Sequence, residues 1–107
     1  VAPIKAAILP LLKNKPELVA KAREVQALLQ PFMNIFYDET AAIGRRYRRQ
    51  DEVGTPFCIA IDFETIGQAE GDDQSLTDTI TIRHRDSMEQ ERVPIAELLN
   101  WLSARIR

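Results

Sequence analysis

The sequence is poor in the residues most often used for covalent and metal chemistry. Among 107 residues there is one cysteine, Cys58, and one histidine, His84. A lone cysteine cannot close an internal disulfide, so nothing points to an oxidising compartment. Only four glycines are present, and none forms a phosphate-cradling pattern after a strand. No apolar run approaches the roughly 20 residues of a membrane span. An excess of positive charge is also missing. The formal net charge of −2 argues against indiscriminate, backbone-driven nucleic-acid binding, which needs a strongly basic surface.

What remains is an ordinary globular composition, 45% hydrophobic and 28% charged, too apolar for a disordered chain. The length bounds it to one domain over residues 1–107, and such a chain buries roughly 65% of its unfolded surface without staples. The start at Val1, leading into an apolar run within a few residues, reads as a piece of something longer. Charge is uneven along the chain. Arg45, Arg46, Arg48 and Arg49 crowd one stretch, and Glu70, Asp72 and Asp73 another. Local basic sites are therefore compatible with the acidic average.

Ile4 to Leu9 is nearly all apolar and closes at Pro10, the pattern of an internal parallel strand. Pro16 opens a helix with Glu17 in its first turn; Leu18, Ala22, Val25, Leu29 and Phe32 recur at helical spacing before the chain leaves the helix near Pro31. Met33 to Tyr37 reads as a second strand. Thr40 is placed to cap a second helix running to about Glu52, with Gly54 as its stop and Ile43 and Tyr47 as its apolar stripe. Pro56 to Phe63 reads as the central strand. Strand, helix, strand, helix, strand in this order implies right-handed crossovers and helices packed on a partly parallel sheet. A long polar loop over 65–78 follows, expected to be mobile. Thr79 to Arg85 then alternates, with Ile80 and Ile82 facing the core and Thr79, Thr81, Arg83 and Arg85 facing away. Glu91 to Val93 adds a short strand. Pro94 starts a last helix with Ile95, Leu98, Leu99, Leu102 and Ile106 on one stripe.

A catalytic reading finds no cluster to rest on. His84 shares the apolar phase of its strand, which favours a packed histidine. Cys58 lies inside an apolar strand, where free cysteine behaves as a small hydrophobe. The acidic residues Glu70, Asp72 and Asp73 lack the alternating spacing of a calcium loop and read as a solvated loop. Ser75, Ser87 and Ser103 show no local signature of an activated nucleophile.

Two features stand out. On a helix, Arg45, Arg48, Arg49 and Glu52 share one side, which serves either as a phosphate-facing patch or as a solvated, ion-paired face. The second is the edge where Asp62 to Glu64 leaves the central strand and Arg83 to Arg85 closes the next. If these strands are neighbours, carboxylates and guanidiniums are expected to converge at one rim, either as a recognition site or as inter-strand salt bridges.

These features carry a resemblance. Gly-Arg-Arg-Tyr-Arg-Arg-Gln-Asp-Glu-Val-Gly-Thr-Pro-Phe-Cys at 44–58 and Ile-Asp-Phe-Glu-Thr at 61–65 resemble glycyl-tRNA synthetases of the homodimeric class II type. So do Thr-Ile-Arg-His-Arg-Asp-Ser-Met-Glu-Gln at 81–90 and Ala-Pro-Ile-Lys at 2–5. The resemblance spans nearly the whole chain. It implies an α/β fold, a mixed, five-stranded sheet flanked by three helices, of the class II synthetase anticodon-binding kind. Under it, this chain is a C-terminal domain with no catalytic site and no cofactor of its own. ATP and magnesium would belong to the parent's catalytic domain, which would also make the parent a homodimer. The fragment would be a cytoplasmic monomer with tRNA-Gly as its partner and no membrane. A competing expectation is a non-catalytic, synthetase-like accessory module on the same fold.

Glycine codons begin with two guanines, so every glycine anticodon ends with two cytosines. An unstacked cytosine offers an amino donor for a carboxylate and acceptors for an arginine. The resemblance therefore implies that Asp62, Glu64, Arg83 and Arg85 read bases, with Thr40 beside the same loop. Arg45, Arg46, Arg48 and Arg49 would hold phosphates or brace the helix. The sequence departs from the family pattern at His84, often acidic there, and in its longer 65–78 loop.

Overall fold

The structure is a computed structural model and describes residues 3–40 and 42–105. Five strands form one mixed sheet: β1 (Ala6–Pro10), β2 (Ile35–Tyr37), β3 (Phe57–Ile61), β4 (Thr79–His84) and β5 (Gln90–Pro94). Their order across the sheet is β2-β1-β3-β4-β5. The first three are parallel, and β4 and β5 continue antiparallel. Helices α1 (Pro16–Leu29), α2 (Ile43–Val53) and α3 (Ile95–Ser103) complete the fold. This is the architecture expected from the sequence.

The two faces of the sheet are covered unequally. On one, α1 and α3 close over Ile8, Ile59, Ile61, Ile80 and Ile82 with Leu18, Val25, Leu29, Leu98 and Leu102, all fully buried. His84 packs on this side as its apolar phase implied. Its ring meets Phe57 and Trp101 edge-on at centroid distances of 5.3–5.6 Å for the three mutual pairs, and Nε2 faces Glu91. On the other face, α2 covers only Ala7, Leu9 and Cys58, with Ile43 and Tyr47 as its apolar contacts. Cys58 is the buried hydrophobe expected, and desolvation pushes its thiol pKa up to about 12.

Several boundaries differ from expectation. Helix α1 stops at Leu29, so Phe32 lies outside it and is 65% exposed rather than part of its stripe. Helix α2 starts at Ile43 after Ala42, which makes no side-chain cap. Thr40 is not the cap because Asp38 and Arg49 hold its hydroxyl instead. Gly54 does end the helix, in the left-handed conformation (φ 82°) that glycine adopts without a Cβ penalty. The 65–78 loop contains a single turn of 3-10 helix at Glu70–Asp72. Asp78 N–H donating to the Thr65 carbonyl (2.9 Å) and Lys21 pairing with Asp78 (3.1 Å) tie it to the body. Ile106 lies outside the described residues. No helix among them is long and apolar enough to cross a membrane.

Candidate nucleic-acid interface

Antiparallel register sets what the open face can present. Cys58 pairs with Arg83, and Ala60 with Thr81; across the next pair, Arg83 meets Gln90 and Thr81 meets Arg92. Directly opposed residues share a face, so these rows all lie on the α2 side. Continuing the register brings Asp62 opposite Thr79. Since α2 sits over β1 and Cys58, the polar rows from Ala60 outward to β5 have no helix above them among the described residues.

The expected convergence of Asp62 and Glu64 with Arg83 and Arg85 does not occur. All four follow or belong to adjacent strands, but an antiparallel pair brings the end of β3 to the start of β4. Arg83 and Arg85 lie at the far end of β4. Asp62 and Arg83 are two rows, or four residues, apart along the strands, about 14 Å at a strand rise of ~3.4 Å per residue. The open face therefore has two polar ends with a floor between them.

At one end, Arg83 makes a bidentate pair with Asp51 of α2, both contacts at 3.1 Å. Its guanidinium lies over the Tyr47 ring, 4.8 Å from the centroid, and donates to Met88 Sδ at 2.9 Å. With 8% exposure, Arg83 is a strut between α2 and β4. Its hydrogen bond to Asp51 raises its pKa further, outweighing burial. Arg85 is exposed beyond it, paired among the described residues only with the exposed Asp86 at 3.0 Å, and its backbone N–H donates to the Pro56 carbonyl.

At the other end stands Arg92, a residue the sequence did not single out. Its Nη1 and Nη2 donate to the two Asp62 carboxylate oxygens at 2.8 and 3.0 Å. Nε donates to the Thr79 hydroxyl at 2.6 Å, and Nη1 also to the Thr81 hydroxyl at 2.9 Å. Asp62 in turn accepts from the Thr65 N–H and hydroxyl at 3.1 and 3.0 Å, closing a tight turn. Burial pushes the Asp62 carboxyl up, but Arg92 and Thr65 outweigh it and the pKa is lowered. Glu64, inside this turn, is half-buried, and its carboxylate has no partner among the described residues.

The arginines of α2 divide sharply. Arg46 is 1% exposed and donates to three backbone carbonyls, those of Pro10 (2.6 Å), Asp38 (2.9 Å) and Leu11 (3.1 Å). It cannot also hold a phosphate at the surface; of the two roles expected of it, phosphate contact or brace, Arg46 takes the brace, joining the ends of β1 and β2 to α2. Burial lowers its pKa. Arg49 is half-committed, donating to Thr40 Oγ1 at 2.9 Å and pairing with buried Asp38 at 3.4 Å. Arg45 and Arg48 are exposed and, among the described residues, unpaired; neither forms the expected ion pair with Glu52. Thr40 sits beside Arg49, its N–H and hydroxyl both donating to Asp38 Oδ1.

The anticodon binding domain family matches residues 5–105 of this sequence. The chain belongs to that family. Curated relatives named glycine–tRNA ligase align with almost all of it: 46% identical in Deinococcus radiodurans over 99% of the chain, 44% in Thermus thermophilus over 99%, and 50% in Clostridium beijerinckii over 96%. The chain spans about a fifth of the length of these relatives, 21% in the first two and 20% in the third.

For an anticodon binding domain, the relevant groups are those able to meet base edges and phosphates. Unpaired and exposed examples are Arg45 and Arg48 on α2, with Arg85 at the far end of β4 less fully committed. Sequence reasoning missed Arg92 because one arginine in a short, strongly polar strand carries no local pattern. Asp51 is masked by the run at 45–52, whose charges read as a single helix face. A sequence signal for Arg46 did exist. Ile43, Arg46, Tyr47 and Gln50 fall at i, i+3, i+4 and i+7, the spacing of an inward stripe.

Proposed function

We propose that this chain binds the anticodon loop of tRNA-Gly as the anticodon-reading part of a glycine–tRNA ligase. The parent would join glycine to its tRNA at the expense of ATP, with ATP and magnesium held in a separate catalytic domain. It would act as a cytoplasmic homodimer, with this domain itself monomeric. The observation that carries the reading is the uncovered polar face of β3, β4 and β5. It is bounded at each end by an arginine–aspartate pair, one of them seated on α2 through Asp51, on a chain of the anticodon binding family.

The chemistry supports two cytosines as the readable letters. Each cytosine offers an amino donor and two acceptors, so carboxylates and guanidiniums are the matching groups. Glu64 is the free carboxylate at one end, and Arg85 the accessible guanidinium at the other. Arg83 and Asp62, committed to Asp51 and Arg92, frame the face and shape its ends. The separation of about 14 Å between those ends suits two unstacked nucleotides, whose phosphates lie several ångström apart. Arg45 and Arg48 are exposed cations free to hold phosphates, while Thr40 is held by Asp38 and Arg49 and shapes the approach to α2.

The test is binding of the chain to tRNA-Gly anticodon stem-loops in which each cytosine is changed in turn. A base reader loses affinity with each change, by about 1–3 kcal/mol per mismatched contact. Equal affinity for every stem-loop would sink the reading.

A further inference from the structure

Arg92 spends every donor it has inside one small region. Five N–H groups are available to an arginine, and its three nitrogens donate to Asp62, Thr65, Thr79 and Thr81. These partners come from two segments, the end of β3 with its turn and the first half of β4. Removing the side chain would leave the Asp62 carboxylate, partly buried and ionised, facing only Thr65. Thr65 itself is fully buried, so the turn that it closes with Asp62 is pinned at both corners. Glu64 lies between those corners.

The geometry points to Arg92 as a positioning residue that fixes the 62–65 turn and so aims the Glu64 carboxylate at a base. Asp62 is then the anchor of the turn and not a reader, since both its oxygens are already occupied. Glu64, by contrast, sits in the turn with its carboxylate acceptors free among the described residues. The inference rests on the anticodon reading above and adds to it which carboxylate discriminates and what holds it. A carboxylate accepts from the amino group of cytosine but meets the carbonyl of uridine with repulsion, so its orientation governs the choice between the two.

The experiment measures the ratio of affinities for the tRNA-Gly anticodon stem-loop and for versions with one cytosine replaced by uridine. The proteins are the 107-residue chain and its variants Glu64→Gln, Arg92→Met, Arg92→Lys and the double variant Glu64→Gln/Arg92→Met. Glu64→Gln and Arg92→Met are each expected to lower the cytosine preference about tenfold at the same letter. The double variant should lose no more than either alone, because one acts through the other. Arg92→Lys keeps the charge but cannot bridge Asp62, Thr79 and Thr81 together, and is expected to lose part of the preference while remaining folded. If Arg92→Met does not fold, Arg92→Lys and Thr81→Val, which removes a single bond to Arg92, carry the test. A merely structural arginine would weaken both RNAs alike and leave the ratio intact; that result, or an additive loss in the double variant, overturns the proposal. A wild-type chain with no cytosine preference would instead overturn the anticodon reading itself.

Discussion

Arg46 and Arg48 sit two positions apart on the same helix, yet their substitutions should fail in opposite ways. In Arg46→Met the apolar replacement keeps most of the volume but leaves the Pro10, Leu11 and Asp38 carbonyls without their charged donor. A buried carbonyl left unpaired costs about 1–3 kcal/mol. Three of them at the low end give about 3 kcal/mol, and relief from burying a cation offsets only part of the higher figures. At this chain length ~3 kcal/mol corresponds to a melting temperature lower by on the order of 10–15 °C. Thermal unfolding followed by circular dichroism reads this directly, with urea titration as a check. Arg48→Ala should leave the melting temperature unchanged, because its side chain is exposed and unpaired among the described residues. Its effect belongs in RNA binding, as a uniform loss across stem-loops and a salt-dependence slope shallower by about one ion. The reasoning is refuted if Arg46→Met melts like the wild type while Arg48→Ala does not.

Two further outcomes follow from the titrating groups. Asp62 has its pKa held below the ordinary 3.8 by Arg92 and Thr65, so its stabilising effect is complete above that value and is lost as pH falls through the lowered one. Asp62→Asn should accordingly cost the most stability near neutral pH, and the gap to wild type should shrink in acid unfolding scans. A gap independent of pH would remove the ion pair from the explanation. Cys58, with its thiol pushed up to about 12 by burial, should resist alkylation at mildly alkaline pH and react quickly once urea unfolds the chain; fast labelling of the folded chain would contradict its burial.

The parts of the fold set by periodicity were legible in the residues themselves. Leu18, Ala22, Val25 and Leu29 define one helical face, Ile80 and Ile82 one strand face, and both are buried as spaced. Thr40 misled because a hydroxyl near a helix start looks like a cap, whereas Asp38 two residues earlier competes for it. The proposed rim failed for a topological reason. Proximity of two strands was inferred correctly, but their antiparallel direction sends Arg83 away from Asp62. Partners such as Asp51 and Arg92 are separated in sequence from Arg83 and Asp62 by 32 and 30 residues, a distance over which no local pattern operates.

Strand β4 presents two independent alphabets on one backbone. Ile80 and Ile82 are locked beneath α1 and α3, while Thr79 and Thr81, with Arg83 at their end, point the other way. A substitution at Thr81 changes what a bound molecule meets without changing the volume under the sheet. The outward row can thus change with the hydrophobic side left as it is, but Thr79 and Thr81 both hold Arg92 and are coupled through it. Arg83 is coupled in another direction, since its bond to Asp51 also sets the seat of α2. Any redesign of this surface has to change those two residues as a unit.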